Sequence, residues 1–178
     1  MIGQPASTTS APVRATGPAQ ARAWWRWLLL SLAVIIVDQV TKQAVMGALM
    51  AGESRPYTSF FSLVLTFNSG AAFSFLADAQ GWQRWFFAAI AALAGVLLVY
   101  LLRRGGSAWF CCGIALILGG AIGNLYDRLV IGKVVDFLLF HYQHWAWPAF
   151  NVADSAITVG AIALIIDSIR SRHAEEVR

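Results

Sequence analysis

Four long apolar runs divide the chain, at about residues 24–46, 82–102, 108–126 and 150–169. Each contains about 20 mostly apolar residues, enough to cross the hydrocarbon core of a bilayer as an α-helix. Most of the charged residues lie in the segments between the runs or at the ends of the chain. The pattern therefore predicts four transmembrane helices.

The segment 47–81, between the first two runs, follows a different pattern, because several charged residues and Pro56 interrupt it. Residues 59–67 are rich in Phe, Leu, Val and Thr and lead through Asn-Ser-Gly into a second apolar stretch at 71–75, which predicts strand, turn and strand. Exposed strand backbone cannot lie in lipid, so this unit should lie outside the hydrocarbon core. The predicted fold is an all-α membrane protein with four transmembrane helices and a small periplasmic antiparallel β-sheet between the first and second helices.

Composition agrees with a membrane protein, since 58% of the residues are hydrophobic and only 12% are charged, whereas soluble domains carry about 25% charged residues. Arginines near membrane spans mark the cytoplasmic side. With four spans, these arginines all fall on one side, which places both termini in the cytoplasm: Arg14, Arg22, Arg26, Arg103, Arg104, Arg170 and Arg172.

The ends of the chain differ in composition from the part between them. Residues 1–23 are rich in Ala, Ser, Thr and Pro and predict a disordered cytoplasmic tail. The apolar run that follows is too long for a secretory signal and lacks a small-residue cleavage site, so we expect it to be retained. We predict one integral-membrane domain over 24–170 and a short cytoplasmic tail at 171–178.

Polar and ionisable residues concentrate between the third and fourth runs, in segment 119–160. Ionisable groups at the margin of a membrane span are costly unless they pair, face water or do chemistry. Two of them, Asp136 and Asp154, can both be carboxylates of one site. Asp154 also belongs to a polar stripe with helical spacing, which should face protein or a water-filled cleft: Asn151, Asp154, Ser155 and Thr158.

Two charges lie inside the first run, where Asp38 and Lys42 are four residues apart and share one helix face. Asp38 is 12 residues beyond Arg26, or about 18 Å along a helix, which places it in the outer half of the membrane. A pair that neutralises itself and a direct catalytic role are both compatible with this spacing. We predict that Asp38 and Lys42 form part of the site's architecture.

Three further polar residues are candidates for the site. Asn124 and Arg128 share a face of the third helix, and Arg128 could pair with Asp127, with Asp38 or with a substrate carbonyl or headgroup. Asn68 could hydrogen-bond substrate backbone or simply form the turn before Ser-Gly. The small residues from Gly119 to Gly123 favour close helix packing rather than chemistry.

Cysteine and histidine give little support to other chemistries. Cys111 and Cys112 are adjacent in an apolar run, which indicates packing rather than a disulfide. His141 and His144 have no third ligand at a matching spacing, so no metal site is predicted. Neither the cysteines nor the histidines have an expected polar partner at the right depth, so no Ser-His or Cys-His pair is predicted.

The main alternative is a channel or transporter whose buried charges line a permeation path. Such a protein should place its charges near the bilayer midplane, on broken helices in matching repeats. The sequence places them toward one interface and contains no repeat. An enzyme site near that interface therefore fits the pattern better.

Five motifs, spread in order over about residues 24–170, together resemble lipoprotein signal peptidase, also called signal peptidase II. They are Asp-Gln-Val-Thr-Lys at 38–42, Phe-Asn-Ser-Gly-Ala-Ala-Phe at 67–73, Gly-Asn-Leu-Tyr-Asp-Arg at 123–128, Val-Val-Asp-Phe at 134–137 and Phe-Asn-Val-Ala-Asp-Ser at 150–155.

The resemblance implies a multi-pass aspartic endopeptidase of the bacterial inner membrane, with its site near the periplasmic face. It implies that the enzyme removes the signal peptide of diacylglyceryl-modified prolipoproteins just before the lipidated Cys, and that globomycin inhibits it. It further implies a catalytic pair, Asp136 and Asp154, supported by Asp38, Asn68, Asn124, Arg128 and Asn151. The expected partners are prolipoproteins and membrane lipid, with no cofactor and no nucleic acid.

Two neighbouring carboxylates suit this chemistry, because they cannot both ionise cheaply and one of them retains a proton. The ionised partner can then take a proton from a water held between them, while the protonated partner donates to the scissile carbonyl. The sequence does not indicate which Asp is protonated.

Overall fold

The computed structural model describes residues 24–70 and 81–176. It contains four long helices: α1 (Trp25–Ala48), α2 (Trp82–Arg104), α3 (Ala108–Val130) and α4 (Val152–Glu176). Strands β1 (Ser54–Pro56) and β2 (Phe61–Asn68) lie between α1 and α2, and β3 (Val134–Tyr142) and β4 (Trp145–Ala146) lie between α3 and α4. α1, α2, α3 and the Val152–His173 part of α4 are each long and apolar enough to cross a membrane, so the predicted spans are confirmed.

Helix α3 is the centre of the bundle and packs against each of the other three helices. Half of its most apolar segment is buried inside the protein, against 22–28% for the other three helices. The outward faces of α1, α2 and α4 carry exposed Leu, Ile and Val side chains instead. Such faces suit contact with lipid chains, which offer no hydrogen-bond partners. Polar side chains of the bundle therefore need partners inside the protein.

Glycines let the helices around α3 approach closely, as the small-residue pattern predicted. A Cβ at Gly113 would lie 2.8 Å from the carbonyl oxygen of Gly160 on α4. A Cβ at Gly123 would lie 2.7 Å from Oδ2 of Asp38 on α1. Both distances are too short for a real side chain, so glycine is what allows α4 and the Asp38 carboxylate to reach α3.

Two helices extend well beyond the apolar runs that predicted them. α3 continues to Val130 and stops where the backbone N–H of Gly132, at φ +89°, bonds to the carbonyl of Asp127. Residues 127 and 128 stay helical because their polar groups are held inside the protein rather than in lipid. α4 continues to Glu176, so residues 171–176, predicted as a tail, extend the fourth helix.

The four strands form one antiparallel sheet in the order β1-β2-β3-β4. The predicted small antiparallel sheet is confirmed, but β2 is flanked by β1 and β3, so half of the sheet comes from the segment between α3 and α4. The predicted strand at 71–75 lies outside the described residues. In the β2–β3 register Thr66 faces Asp136 and Asn68 faces Val134, which brings Asn68 to the same end of the sheet as Asp136.

The sheet rests on the end of α1 through a small apolar core. Leu65 of β2 and Val135 and Phe137 of β3 pack with Val45 and Leu49 at the end of α1. Alternate residues of a strand point to opposite faces, so Asp136, between two core residues, projects away from this core. This packing fixes β3 at the end of the helical bundle and directs Asp136 toward the start of α4.

Candidate active site

Asp136 and Asp154 meet where β3 approaches the first turn of α4. Asp136 is 2% exposed, whereas Asp154 is half-buried and lines an open cavity. Asn151 Nδ2 donates to Asp136 Oδ1 at 2.8 Å, and Asn124 Nδ2 donates to Asp154 Oδ1 at 2.8 Å. The two amides also contact one another, Asn151 Nδ2 to Asn124 Oδ1 at 3.2 Å. A pair of amides therefore holds the two carboxylates in one site.

Asn151 and Asp154 also cap α4 reciprocally. Asn151 Oδ1 accepts the backbone N–H of Asp154 at 2.9 Å, and Asp154 Oδ2 accepts the backbone N–H of Asn151 at 3.3 Å. This is a capping box, which satisfies donors that a helix start otherwise leaves unpaired. The position also places the Asp154 carboxylate at the positive end of the helix dipole, where an anion is stabilised.

Asp136 titrates near neutral pH. Burial raises the pKa of this carboxyl from 3.8 to about 6, and the negative charge of Asp154 acts in the same direction. Hydrogen bonds from the side chains of Asn68 and Asn151, together with the charge of Lys42, lower the pKa but do not offset burial. Of the ionisable groups at this site, Asp136 is thus a carboxyl that can hold a proton close to physiological pH.

Lys42 lies beneath the two carboxylates with its ammonium fully buried and fully bonded. Its Nζ lies 2.8 Å from Asp38 Oδ2, 2.7 Å from Asp127 Oδ2 and 3.1 Å from Asn124 Oδ1. Three acceptors match the three protons of an ammonium group. Lys42 reaches the Asp136 and Asp154 pair through Asn124, which supports its predicted place in the site's architecture.

Asp38 connects α1 to the start of α4. It is 0% exposed, and its Oδ1 accepts the backbone N–H of Ala153 at 2.9 Å while Oδ2 binds Lys42. The predicted i, i+4 pair thus exists and includes a second carboxylate, Asp127. Asp38 pairs with Lys42 and also positions the helix that carries Asp154, so it does more than neutralise its neighbour.

Asp127 and Gln39 were not among the predicted site residues. Asp127 is 0% exposed and joins three elements: its Oδ2 accepts the backbone N–H of Val135 on β3 at 3.1 Å and binds Lys42, and its Oδ1 accepts from Gln39 Nε2 at 2.9 Å. Asp127 lies three residues after Asn124, and this helical spacing indicates that both side chains lie on the same face of α3. The lysine that two acids share could not be read from the sequence.

Arg128 pairs with neither Asp127 nor Asp38, and among the side chains described in 24–70 and 81–173 no carboxylate lies within ion-pair distance of its guanidinium. Its Nη1 donates to the carbonyl of Asn124 at 3.0 Å, and the group lies over the ring of Phe87, 5.6 Å from the centroid. It still feels the charges of Asp154 and Asp136 electrostatically. Among the described side chains, Arg128 is therefore a cation near the carboxylate pair with guanidinium donors that no carboxylate takes.

Asn68 combines the two roles that the sequence left open. Its Oδ1 accepts the backbone N–H of Gly70 at 2.8 Å, which is the turn-forming role. Its side chain also hydrogen-bonds Asp136. Asn68 is therefore part of the site from the β2 side.

A cavity of about 400 Å³ opens beside Asp154. It is lined by Trp147 and Phe150 on one side and by Ser155, Thr158 and Val159 of α4 on the other. The Ser155 and Thr158 hydroxyls donate to the carbonyls of Asn151 and Asp154, at 2.9 Å each, so their polar groups are already satisfied. Three residues of the predicted polar stripe, Asp154, Ser155 and Thr158, thus line a cleft whose walls are mainly apolar, while Asn151 is buried.

His141 has a partner that the sequence did not predict. Its Nε2 lies 2.9 Å from the hydroxyl of Ser62, across the β2–β3 pair. The sequence predicted no polar partner for a histidine at the depth of the site. It could not indicate the contact with Ser62, because the two residues are 79 positions apart and only the strand register brings them together. Ser62 is 4% exposed, and no hydrogen bond within 24–70 and 81–176 links His141 to a carboxylate.

Comparison with known proteins decides the family. A profile of the family described as Signal peptidase (SPase) II matches residues 30–170. The chain belongs to this family. It is 52% identical over 169 residues to a lipoprotein signal peptidase of Cupriavidus necator, covering 93% of this chain and 97% of that one. It is 57% identical over 145 residues to a lipoprotein signal peptidase of Ralstonia nicotianae, covering 81% and 84%.

Solved structures of bacterial membrane enzymes share the fold. One, determined by the in meso method at 1.9 Å resolution, superposes with a TM-score of 0.72 at 32% identity, covering 80% of this chain and 92% of that chain. Another, at 2.3 Å resolution, gives a TM-score of 0.72 at 30% identity, covering 83% and 90%. The chain is a peptidase of the signal peptidase II family, and four apolar helices make it a multi-pass protein of the bacterial inner membrane.

Proposed function

We propose that this peptidase is an aspartic endopeptidase that removes the signal peptide from diacylglyceryl-modified prolipoproteins, cutting just before the lipidated Cys. Asp136 and Asp154 are its catalytic pair. The observation that carries the proposal is the bonding of both carboxylates to one pair of amides, Asn151 and Asn124, in a chain whose relatives are named lipoprotein signal peptidases.

The pair acts on a water molecule. One carboxylate takes a proton from the water as it attacks the scissile carbonyl, and the partner carboxylic acid donates a proton to the carbonyl oxygen. The raised pKa of Asp136, about 6, supports a proton held within the pair, because this carboxyl keeps its proton to a higher pH than an ordinary Asp. Asp154, which accepts from Asn124 and from the backbone at a helix start, is arranged to carry the negative charge.

Arg128 and Asn68 bind the substrate on either side of the pair. Arg128 has guanidinium donors that no described carboxylate takes, and these suit a substrate carbonyl or a headgroup oxygen. Asn68 hydrogen-bonds Asp136 at the end of β2, where it can also reach an extended substrate backbone. These two residues orient the scissile bond, whereas Asp38 and Lys42 hold the frame.

The apolar cavity beside Asp154 accepts part of the diacylglyceryl group. Its aromatic wall, Trp147 and Phe150, and its α4 wall, where the hydroxyls of Ser155 and Thr158 are already hydrogen-bonded, meet within reach of the carboxylate. Each buried CH₂ of an acyl chain contributes about 0.8 kcal/mol. Binding energy gained away from the scissile bond can orient that bond, and then it raises turnover as well as affinity.

The enzyme lies with both termini in the cytoplasm and with its site near the periplasmic face. Arg103 and Arg104 end α2 at the opposite end of the bundle from the carboxylates, as cytoplasmic anchors would. Globomycin is the expected inhibitor. A channel with buried charges is the alternative function, but the buried charges form one closed network, in which Lys42 is held by Asp38 and Asp127, instead of lining a path across the bundle.

The test is cleavage of a synthetic diacylated prolipoprotein peptide by the purified protein. Asp136→Asn and Asp154→Asn should each lower turnover by about 100-fold to 10,000-fold, the range for removing a general acid or base, while helix content is unchanged. Asp167→Asn, a matched change at the other end of α4, should stay active. The unmodified peptide should be cut far more slowly than the diacylated one.

The two parts of the proposal fail separately. Substantial turnover by either Asn variant at 136 or 154 would remove that residue from the catalytic pair. Equal rates on modified and unmodified peptides in the same detergent would leave the carboxylate chemistry intact and remove the acyl-binding role of the cavity.

A further inference from the structure

A second and larger apolar groove lies between α2 and α3, on the outer surface of the bundle. Its volume is about 880 Å³, within the range of sites that bind small molecules. Gly95 and Val99 of α2 and Leu118 and Ile122 of α3 form its walls. The missing side chain at Gly95 deepens the groove, since a Cβ there would lie 3.5 Å from Ile122 Cδ1.

The groove has one charged end. Its α2 wall follows one helix face from Ala92 to Arg103, and Arg104 also lines it. Among the side chains described, in 24–70 and 81–173, no carboxylate lies within ion-pair distance of either arginine. Arg103 lies over the ring of Trp24 and Arg104 over the ring of Tyr100. The two cations are held at the end of the groove by aromatic rings, and no described carboxylate neutralises them.

The α2 wall of the groove is about as long as one leaflet of a bilayer is thick, while the α3 wall continues to Leu125. Eleven residues separate Ala92 from Arg103, or about 16 Å of helix, and half of the hydrocarbon core is about 15 Å. A molecule with its head at the arginines would thus end near the bilayer midplane. Val96 and Tyr100 along the groove are 71% and 54% exposed, so the groove is open to the surrounding lipid.

We propose that this groove binds one phospholipid with an anionic headgroup, taken from the leaflet at the Arg103 end. An acyl chain lies along Gly95 and Val99, and the phosphate contacts Arg103 and Arg104. Charge favours this occupant over an apolar helix of a signal peptide, because signal peptides carry a positive segment before their apolar part, and the two arginines repel it. The lining includes neither carboxylate of the pair and none of the side chains bonded to them, although Leu125 at its far end follows Asn124 in the chain.

The test is native mass spectrometry of the purified protein in detergent, with phosphatidylglycerol and phosphatidylcholine of identical chains in competition. Each Arg near an anionic group contributes about a fivefold preference, so the protein should retain one phosphatidylglycerol with a preference of about 25-fold. The double variant Arg103→Gln, Arg104→Gln should bring the preference close to onefold. The matched double variant Arg170→Gln, Arg172→Gln, at the same end of the bundle but outside the groove, should keep it.

Filling the groove should abolish retention of both lipids. Gly95→Leu does so from α2, and Ile122→Phe does so from α3 if the first variant fails to fold, while Leu97→Phe on the exposed face of α2 is the control. Equal retention of the two lipids by the unaltered protein would overturn the proposal. So would an equal loss of preference in the Arg170 and Arg172 variant, displacement of the lipid by a basic apolar peptide, or displacement by inorganic phosphate.

Discussion

At the scale of single residues, Asn151 has two functions that no other side chain could combine. As a helix cap it could be replaced by Asp, Ser or Thr, which cap about as well. Its amide, however, also donates to Asp136 Oδ1 at 2.8 Å while its oxygen caps the backbone N–H of Asp154. An Asp at this position would place a third carboxylate against two others. The need for one acceptor and one donor explains an amide here.

The raised pKa of Asp136 predicts an unusual effect of pH on stability. Because the pKa is about 6 in the folded protein and 3.8 without the fold, the folded state binds more protons between these values, and stability falls as pH rises from about 4 to about 6. The cost above pH 6 is about 3 kcal/mol. Asp136→Asn has no charge to bury, so it should melt at a higher temperature than the unaltered protein above pH 6 and at a similar temperature near pH 4.

Thermal unfolding in detergent, followed by circular dichroism at several pH values, checks this prediction. The control is Glu53→Gln on the surface, where hydrogen bonds from Met50 and Arg55 lower the pKa of the carboxyl. At Glu53 the effect of pH has the opposite sign: the ionised carboxyl stabilises the fold, and this stabilisation is lost as pH falls. An Asp136→Asn protein that is less stable at neutral pH would show that the ionised carboxylate stabilises the fold.

At the scale of elements, the start of α4 is the part of the fold on which the site depends most. α1 supplies Asp38, whose carboxylate accepts the backbone N–H of Ala153, and β3 supplies Asp136 beside the Asn151 cap. α3 packs directly against this turn: a Cβ at Gly120 would overlap the carbonyl oxygen of Ala153. Three elements therefore fix the position of the turn that carries Asp154.

Asp38→Ala should lower both stability and activity. It leaves Lys42 with one carboxylate fewer in a fully buried site and removes a cap from α4, and breaking a buried pair costs about 3 to 5 kcal/mol. The melting temperature and the cleavage rate should fall together. Glu53→Ala, which breaks the exposed pair with Arg55, is the control; it should leave the cleavage rate unchanged and lower the melting temperature much less. An Asp38→Ala protein with an unchanged melting temperature and no activity would make Asp38 a direct participant in catalysis.

Gly120→Val should displace the first turn of α4. The added side chain meets the backbone of Ala153 and the side chain of Ile157, neither of which can move without moving the helix. We expect a loss of about 1 to 3 kcal/mol in stability, typical of overpacking, and a lower cleavage rate. Gly47→Ala is the control, because nothing lies within 4 Å of that position and Ala is about 1 kcal/mol better than Gly in a helix. Unchanged activity in Gly120→Val would show that the α3–α4 contact does not position Asp154.

The sequence predicted those parts of the structure that depend on local pattern. Four apolar runs indicated four helices, and polar residues at a membrane margin indicated Asp136, Asp154 and Asn151. The sequence did not predict pairing between distant residues. The pairing of β2 with β3 joins residues about 70 positions apart, and it also creates the contact between Ser62 and His141. Asp127 was not predicted as a site residue, because its role depends on Lys42, and the i, i+4 spacing predicted only Asp38 as the partner of that lysine.

At the scale of the whole molecule, the two ends of the bundle differ in chemistry. One end holds the sheet and the buried network of acids and amides, and the other holds the exposed Arg103 and Arg104, with Arg170 over the ring of Trp109. Lys and Arg near spans favour the cytoplasmic side. The asymmetry therefore predicts that the sheet end faces the periplasm, where a substrate anchored in the outer leaflet would present its lipidated Cys.

Labelling of single cysteines tests this orientation. Gly52 and Gly105 lie in the two relevant turns but have φ of +82° and +73°, which would strain any other residue, so the neighbouring exposed residues Ala51 and Ala108 are the better positions. In a Cys111→Ala, Cys112→Ala background, Ala51→Cys should react with a membrane-impermeant thiol reagent added to intact spheroplasts, and Ala108→Cys should react only after permeabilisation. Both variants should still cleave the diacylated peptide, because neither position contacts the carboxylate network. Labelling of Ala108→Cys in intact spheroplasts would invert the orientation and place the carboxylate pair on the cytoplasmic side, out of reach of a substrate held in the outer leaflet.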